Sequence, residues 1–400
     1  MFIIIIIVLI AIFAAIYITE KGSVLVYIKN KIYMYSEIFY RLALQYLEDY
    51  RPSMLKEMLR LSGSATALFE EPDRWRKMVS KRAEKKPLPK VTETIQRMVS
   101  EELRTMERKG IGYCFYTDED YPYRLRSCSD APLAFYFHGD IKIFNRDHIL
   151  AMVGTRDATD YGRQCVRKMV RELQETNLVT VSGLAYGIDT EVHGRSLECN
   201  IPTIAVMGCG FHTIYPSQNQ ALAQRIVDNG GALISEYSFQ TIPDRNNFPK
   251  RNRIIAGMSD AVLVVETGYK GGSIITAHIA HSYNRDVFAM PGSIFDEHHE
   301  GCHTLIQKNI AAIVTSGQEL INLMNWEKSS ASMQMQLFVE LNEAEQQVVS
   351  LLREQPIVSV DALAEQLTGV SPSKLAGILL GLELKGVIEA KPGKCYAIVR

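Results

Sequence analysis

Between residues 149 and 293 one pattern repeats: a short apolar run, a turn of small residues, then a helical stretch. The runs are Ile149–Val153, Leu178–Val181, Thr203–Met207, Ala232–Ile234, Ala261–Val265 and Val287–Met290. Each is too short for a buried helix and too uniformly apolar for a strand with one wet face. Runs of this kind, alternating with helices such as Gly162–Glu175 and Ser273–Tyr283, predict parallel strands covered on both faces. The expected fold is therefore α/β: a Rossmann-like, mostly parallel sheet with helices on both sides.

Nearly every run ends in small residues. Gly154-Thr155-Arg156 follows the first, Ser182-Gly183-Leu184-Ala185 the second and Gly208-Cys209-Gly210 the third. Gly271-Gly272-Ser273 follows the fifth and Pro291-Gly292-Ser293 the sixth. In an open parallel sheet, ligands bind where strands hand over to helices. Glycines there admit a close ligand, and helix N-termini offer free N–H groups to an anion. One such turn serves only tight packing; several on one edge point to a phosphate-bearing ligand. The chain has no G-x-x-x-x-G-K-[ST] and no G-x-G-x-x-G after the first strand, which excludes a P-loop ATPase and a dinucleotide cofactor. No cofactor is expected. Arg156, directly after a close-approach glycine, offers a planar two-pronged donor to phosphate.

A second cluster, Asn247 to Arg253, reads NFPKRNR. Three cations beside one aromatic suit single-stranded nucleic acid, whose bases stack and whose phosphates need neutralising. Phe248, Lys250 and Arg251 are expected to touch ligand. Arg253, followed by apolar Ile254, Ile255 and Ala256, is expected to pair with an internal carboxylate such as Asp189 or Glu266.

The formal net charge of −1 makes indiscriminate polyanion binding unexpected, so any nucleic-acid site must be a local concentration of cations. The 7 Cys are scattered without a C-x-x-C pair, which speaks against a disulfide framework and a structural zinc. Residues 1–28 open with an unbroken apolar stretch to Ile18, at the lower limit for spanning a bilayer. Two readings stand side by side: a membrane anchor with the rest cytoplasmic, or an extension from a start codon placed upstream. Residues 36–110 predict a helical module, with Pro52-Ser53 starting a helix and Ser62-Gly63 stopping it. A basic stretch from Arg74 to Lys90 reads as a solvated face and linker. After the domain at 111–326 and a polar linker at 327–341, residues 342–400 predict three helices and a hairpin at Pro392-Gly393, the winged-helix plan.

The order of motifs resembles the DprA/Smf family of DNA-processing proteins. The matching stretches are Val153-Gly154-Thr155-Arg156, Ser182 to Asp189 with His193, Ala205 to Gly210 and Tyr215-Pro216 with Asn219. Phe248 to Gly257, Gly272 to Ala277 and Pro291-Gly292-Ser293 complete the set. They cover about half the chain; each is weak alone and the set is specific. The resemblance implies a non-enzymatic protein that binds single-stranded DNA at the strand ends, dimerises, and loads RecA recombinase in natural transformation. It implies DNA or phosphate contacts from Gly154, Thr155, Arg156, Ser182, Gly183, Ala185, Phe248, Lys250, Arg251, Gly272, Ser273 and Thr276. Asp189, His193, Asn252, Arg253 and Glu266 would brace the loops. Tyr186 stands where the family frequently has a basic residue, Ser217 where some members carry a lysine, and Asp49-Tyr50-Arg51-Pro52 where many relatives have a Gly-x-Gly hairpin in the helical module.

Three competing readings are weaker. Asp296, Glu297, His298, His299, Glu300, Cys302 and His303 crowd one loop, but adjacent histidines do not face one ion comfortably, and no metal is expected. His278 and His281 share a helix face without a carboxylate. A nucleotide phosphoribohydrolase of the LOG type shares a glycine turn like Gly271-Gly272-Ser273, yet needs a carboxylate soon after it, where Ala277-His278-Ile279-Ala280 stands. A duplex-reading regulator needs a basic recognition helix, and the tail offers Lys374 and Lys385 against Glu383.

Overall fold

The structure, a computed structural model, describes residues 36–47, 50–78, 89–326, 341–355, 357–367 and 370–398. The apolar N-terminal segment, most of the basic stretch and nearly all of the polar linker lie outside them. Among the described residues no helix is long and apolar enough to cross a membrane. The described residues divide into two compact units, one of those up to Tyr116 together with 132–136 and one of the remainder.

The first unit is helical. Helices α1 (Glu37–Ala43) and α2 (Pro52–Ser62) form as the spacing predicts, and Gly63 stops α2 at φ +87°. Two short helices that sequence reasoning missed follow, α3 (Ala65–Glu70) and α4 (Pro72–Trp75). Glu37 anchors them: its carboxylate accepts from the backbone N–H groups of Ala65 and Thr66, both at 2.9 Å. These contacts hold its pKa below the ordinary carboxylate value against the opposing pull of burial. Trp75 is buried and donates its indole N–H to Leu68 O at 3.2 Å. Helix α5 (Glu93–Lys109) is capped by Thr92 and ended by Gly110 at φ +63°. Strand β1 (Gly112–Phe115) closes the unit, and β2 (Ala134–Gly139) begins in it.

The second unit holds the predicted sheet. Its parallel strands are β3 (His148–Gly154), β4 (Leu178–Ser182), β5 (Thr203–Val206), β6 (Ala232–Ser235), β7 (Ala261–Glu266), β8 (Asp286–Ala289) and β9 (Ala312–Ile313). Their order is β6-β5-β4-β3-β7-β8-β9. The chain winds outward from β3 to β6, then returns beside β3 and winds the other way. That reversal makes a switch point between β3 and β7, where a doubly wound sheet opens a crevice at its carboxyl edge. Alternate residues face opposite sides: Leu150, Met152, Leu263 and Val265 share a core with helices α7 (Asp160–Glu172) and α8 (Ile188–Glu198). Helix α9 (Gln220–Asp228) lies against β5 and β6. The other face of β3 and β7 meets α10 (Asn247–Met258) and α11 (Gly272–Ser282). A short helix, α6 (Tyr123–Arg126), was not foreseen. Its fully buried Arg124 pairs with Asp260 at 2.6 Å, below β7. Helices α12 (Glu300–Gln307) and α13 (Gly317–Met324) follow β8 and β9.

The tail is a winged helix. Helices α14 (Glu343–Glu354), α15 (Val360–Gln366) and α16 (Pro372–Leu384) pack on a three-stranded antiparallel sheet of β10 (Val358–Ser359), β12 (Cys395–Ile398) and β11 (Ile388–Lys391), in that order. Asn342 and Glu345 form a reciprocal capping box on α14. Ser371-Pro372 starts α16 as expected.

Candidate functional site

Gly154 ends β3 where the register to β7 slips, so that Val153 pairs with Val264 but Gly154 with Glu266. A Cβ on Gly154 would lie 2.5 Å from the Ile188 side chain and 2.9 Å from Glu266 O. This glycine therefore serves close packing of β3, β7 and α8. Thr155 continues the join, its N–H donating to Glu266 O at 2.7 Å while its own O accepts from Ile188 N–H. Arg156 then leaves the surface, exposed, with its guanidinium 5.2 Å from the centre of the Phe248 ring. Fixed Phe248 in turn lies over Gly208, where a Cβ would come within 2.8 Å of the ring. The Tyr215 ring stands 5.5 Å from Phe248, and Tyr215 and Tyr186 are 44% and 42% exposed. The Tyr186 hydroxyl is held by Gln218.

The second turn is braced from below. Ser182 is fully buried and donates to Met152 O at 2.8 Å. The Gly183 and Ala185 N–H groups both donate to Asp189 Oδ2 at 3.2 Å, and Asn219 supports the Leu184 O at 2.9 Å. This corrects the expectation that Ser182 and Gly183 give donors to a ligand: their polar groups are spent inside. Asp189 thereby holds the loop, and burial raises its carboxyl above the ordinary range despite Arg251 nearby. His193 is wholly buried, with Nδ1 2.7 Å from Thr203 Oγ1. Burial, and then Arg251, push its pKa down to about 3, so the ring is neutral.

The NFPKRNR cluster is helical, the start of α10. Successive side chains therefore diverge by about 100°. Lys250 is exposed, and Arg251 beside it is only 3% exposed. Arg251 Nη1 donates to Gly183 O at 2.6 Å and to Val206 O, tying β4 to β5. A Cβ on Gly183 would sit 2.6 Å from this guanidinium. Arg251 is thus a brace under the surface and is removed from the expected ligand contacts. The expected partner of Arg253 is corrected too: it pairs with Glu236 rather than Asp189 or Glu266. Asn252 donates to Gly272 O at 3.4 Å, joining α10 to the first turn of α11.

Glu266 is fully buried and accepts from Thr159 N–H at 3.0 Å and Thr159 Oγ1 at 2.6 Å, clamping the far side of the Arg156 loop. In α11, Gly272 is exposed while Ser273 and Thr276 are 5% and 1% exposed. In the crowded loop, Asp296 accepts from the backbone and ring of His298, and His299 is buried with Nε2 3.7 Å from Glu266. Among the described residues no group of three or more side chains is arranged to hold a metal. His278 and His281 are exposed on α11. Sequence reasoning missed Tyr215 and Asn219 as working parts, although both were visible in a motif, and read Tyr186 only as lost charge.

Fold and edge together define the class: a doubly wound Rossmann-like domain whose carboxyl edge carries cations and aromatic rings, followed by a winged helix. Residues 112–325 match the family model for DNA recombination-mediator protein A, and residues 339–394 match the DprA winged helix domain. The chain belongs to the DNA recombination-mediator protein A family, also called DprA or Smf. It is 39% identical to DNA processing protein DprA of Bacillus subtilis (strain 168) over 211 residues, 53% of this chain and 71% of that protein. It is 36% identical to Protein Smf of Escherichia coli (strain K12) over 286 residues, 69% of this chain and 74% of that one. The X-ray structure of DprA from Streptococcus pneumoniae superposes with a TM-score of 0.57 at 31% identity, covering 68% of this chain and 93% of the other.

Proposed function

We propose that the carboxyl edge of the sheet binds single-stranded DNA without cutting it, and that the protein hands the strand to RecA recombinase as a homodimer. One observation carries the DNA reading: exposed Arg156 lies over Phe248, Tyr215 flanks that ring, and Lys250 stands on the same helical turn. Stacking rings interleaved with cations suit unpaired bases and their phosphates, and do not suit a duplex whose bases are already stacked. Gly272 and the first turn of α11 add N–H donors for a phosphate. The recombinase step rests on the family's description as a recombination mediator. Dimerisation is supported by β9, a sheet-edge strand with Ile313 48% exposed.

The winged helix fits a protein contact better than duplex reading. Lys385 is engaged by Glu345 at 2.7 Å, and the outward face of α16 shows Leu380 and Leu384, 57% and 81% exposed.

Binding of labelled oligothymidylate to the full chain across a salt series tests the pocket. Arg156→Ala and Lys250→Ala should each weaken binding, and each should reduce the slope of log affinity against log salt by about 0.7. Unchanged affinity and slope in both variants would refute the site.

A further inference from the structure

Tyr269 and Lys270 occupy the tip of a tight turn between β7 and α11. Gly271 N–H closes that turn onto Gly268 O at 3.0 Å. Gly271 cannot be replaced without disturbance, because a Cβ there would lie 2.0 Å from Thr267 Oγ1. The turn is tight, and its two tip residues project: Tyr269 is 59% exposed and Lys270 is exposed. Nothing in the binding reading above uses them. A large aromatic ring exposed to water next to a cation in the chain is suited to a partner that stacks and carries negative charge.

The place of this turn says which partner. Asn252, four residues after Phe248 and so on the same face of α10, bonds Gly272 O, so the Phe248 face abuts the first turn of α11. The Tyr269-Lys270 tip leads directly into that same turn. The Phe248 face of α10 and the Tyr269-Lys270 tip thus both adjoin the N-terminus of an 11-residue helix. Its second residue, Ser273, is 5% exposed and its Oγ has no hydrogen-bond partner in the protein. A buried hydroxyl left unmatched at a helix N-terminus is suited to an anion.

We propose that the bound single strand continues from Phe248 and Lys250, across the first turn of α11, onto Tyr269 and Lys270. The α11 turn with Ser273 receives a backbone phosphate, Tyr269 stacks a second base, and Lys270 neutralises the next phosphate. This inference rests on the single-strand reading of the pocket and extends it. Charge closes the route beyond. Gly268 backs onto Glu297 O, and the loop there carries Asp296 with exposed Glu297 and Glu300. An anionic strand is repelled from that loop, so the second platform is the end of the path on this side.

The test compares oligothymidylates of about 6 and about 20 nucleotides, lengths that fill the pocket alone or overrun it, on the full chain. Tyr269→Ala should weaken binding of the longer strand about tenfold and leave the shorter unchanged, while Tyr269→Phe should bind both normally. Lys270→Ala should lower the salt slope by about 0.7 for the longer strand only. With 2-aminopurine placed at each position of the longer strand in turn, Tyr269→Ala should abolish the stacking signal at an outer position and keep the signal over Phe248. An equal loss on both lengths, or no loss on the longer strand while Lys250→Ala still weakens both, overturns the second platform and spares the pocket. If Lys250→Ala and Arg156→Ala leave both lengths unaffected, the pocket reading and this extension fall together.

Discussion

Adjacent residues Lys250 and Arg251 should respond to truncation in opposite ways, and Arg251→Ala makes the sharper test. Arg251 donates to the carbonyl oxygens of Gly183 and Val206 and lies near buried Asp189. Removing it strands two buried acceptors, at about 1–3 kcal/mol each, and leaves Asp189 without its nearby cation. Partial relaxation and water entry offset some of this, so the expected loss is about 3–5 kcal/mol. For a domain of this size that lowers Tm by about 6–20 °C. Thermal and chemical unfolding of the full chain would measure it. The loss should also depend on pH. Asp189 already has a folded pKa raised by burial, so the folded state holds a proton that the unfolded state releases, and acid favours folding there. Without Arg251 that pKa rises further, and the downward pull of Arg251 on His193 is relieved as well. Both changes make the deficit shrink as pH falls from neutrality toward the ordinary carboxylate value. Lys250→Ala, at an exposed site, should change stability by less than about 0.5 kcal/mol. If Arg251→Ala stays as stable as the native protein yet loses salt-dependent DNA binding, the arginine faces ligand and the bracing account is wrong.

Three further outcomes follow from the same geometry. Gly208→Ala should displace the Phe248 ring, whose atoms lie 2.8 Å from the new Cβ, and weaken oligothymidylate binding about tenfold in a fluorescence titration. His193→Gln should flatten acid destabilisation: the native ring contributes stability above its ordinary pKa of 6.5 that is lost as pH falls toward about 3, and urea midpoints across that window would register the change. Glu236→Gln should cost about 1–3 kcal/mol in chemical unfolding by leaving Arg253 without its charged partner, with the DNA salt slope unchanged.

The parallel sheet was legible because burial on both faces writes strands as unbroken apolar runs, and β3 to β8 stand within one or two residues of the predicted positions. Short elements such as α3, α4 and α6 escaped, because a helix of one or two turns carries too little periodicity. The edge was legible in composition and misread in direction. NFPKRNR gives the inventory of cations, but only helical geometry decides that Lys250 points out and Arg251 in. Likewise the glycine at 183 reads as room for a ligand, whereas the room is filled by Arg251. Sequence motifs cannot separate these cases, because a glycine clears space equally for a phosphate and for a neighbouring side chain.

The carboxylates at this edge bear on whether it binds or catalyses. A general base must be held in place and yet present a free lone pair to the substrate. Asp189 accepts two backbone N–H groups, Glu266 accepts Thr159 twice, and Glu236 is engaged by Arg253. All three are engaged in holding a loop. Asp157 has the opposite character: its side chain is 97% exposed, 3.9 Å from His298, free but unfixed. Asp189, Glu266 and Glu236 thus keep the loops of this edge in shape. Outward at the same edge stand Arg156, Lys250, Phe248, Tyr215 and Tyr186, groups that can neutralise and stack, as the proposed strand-binding role requires.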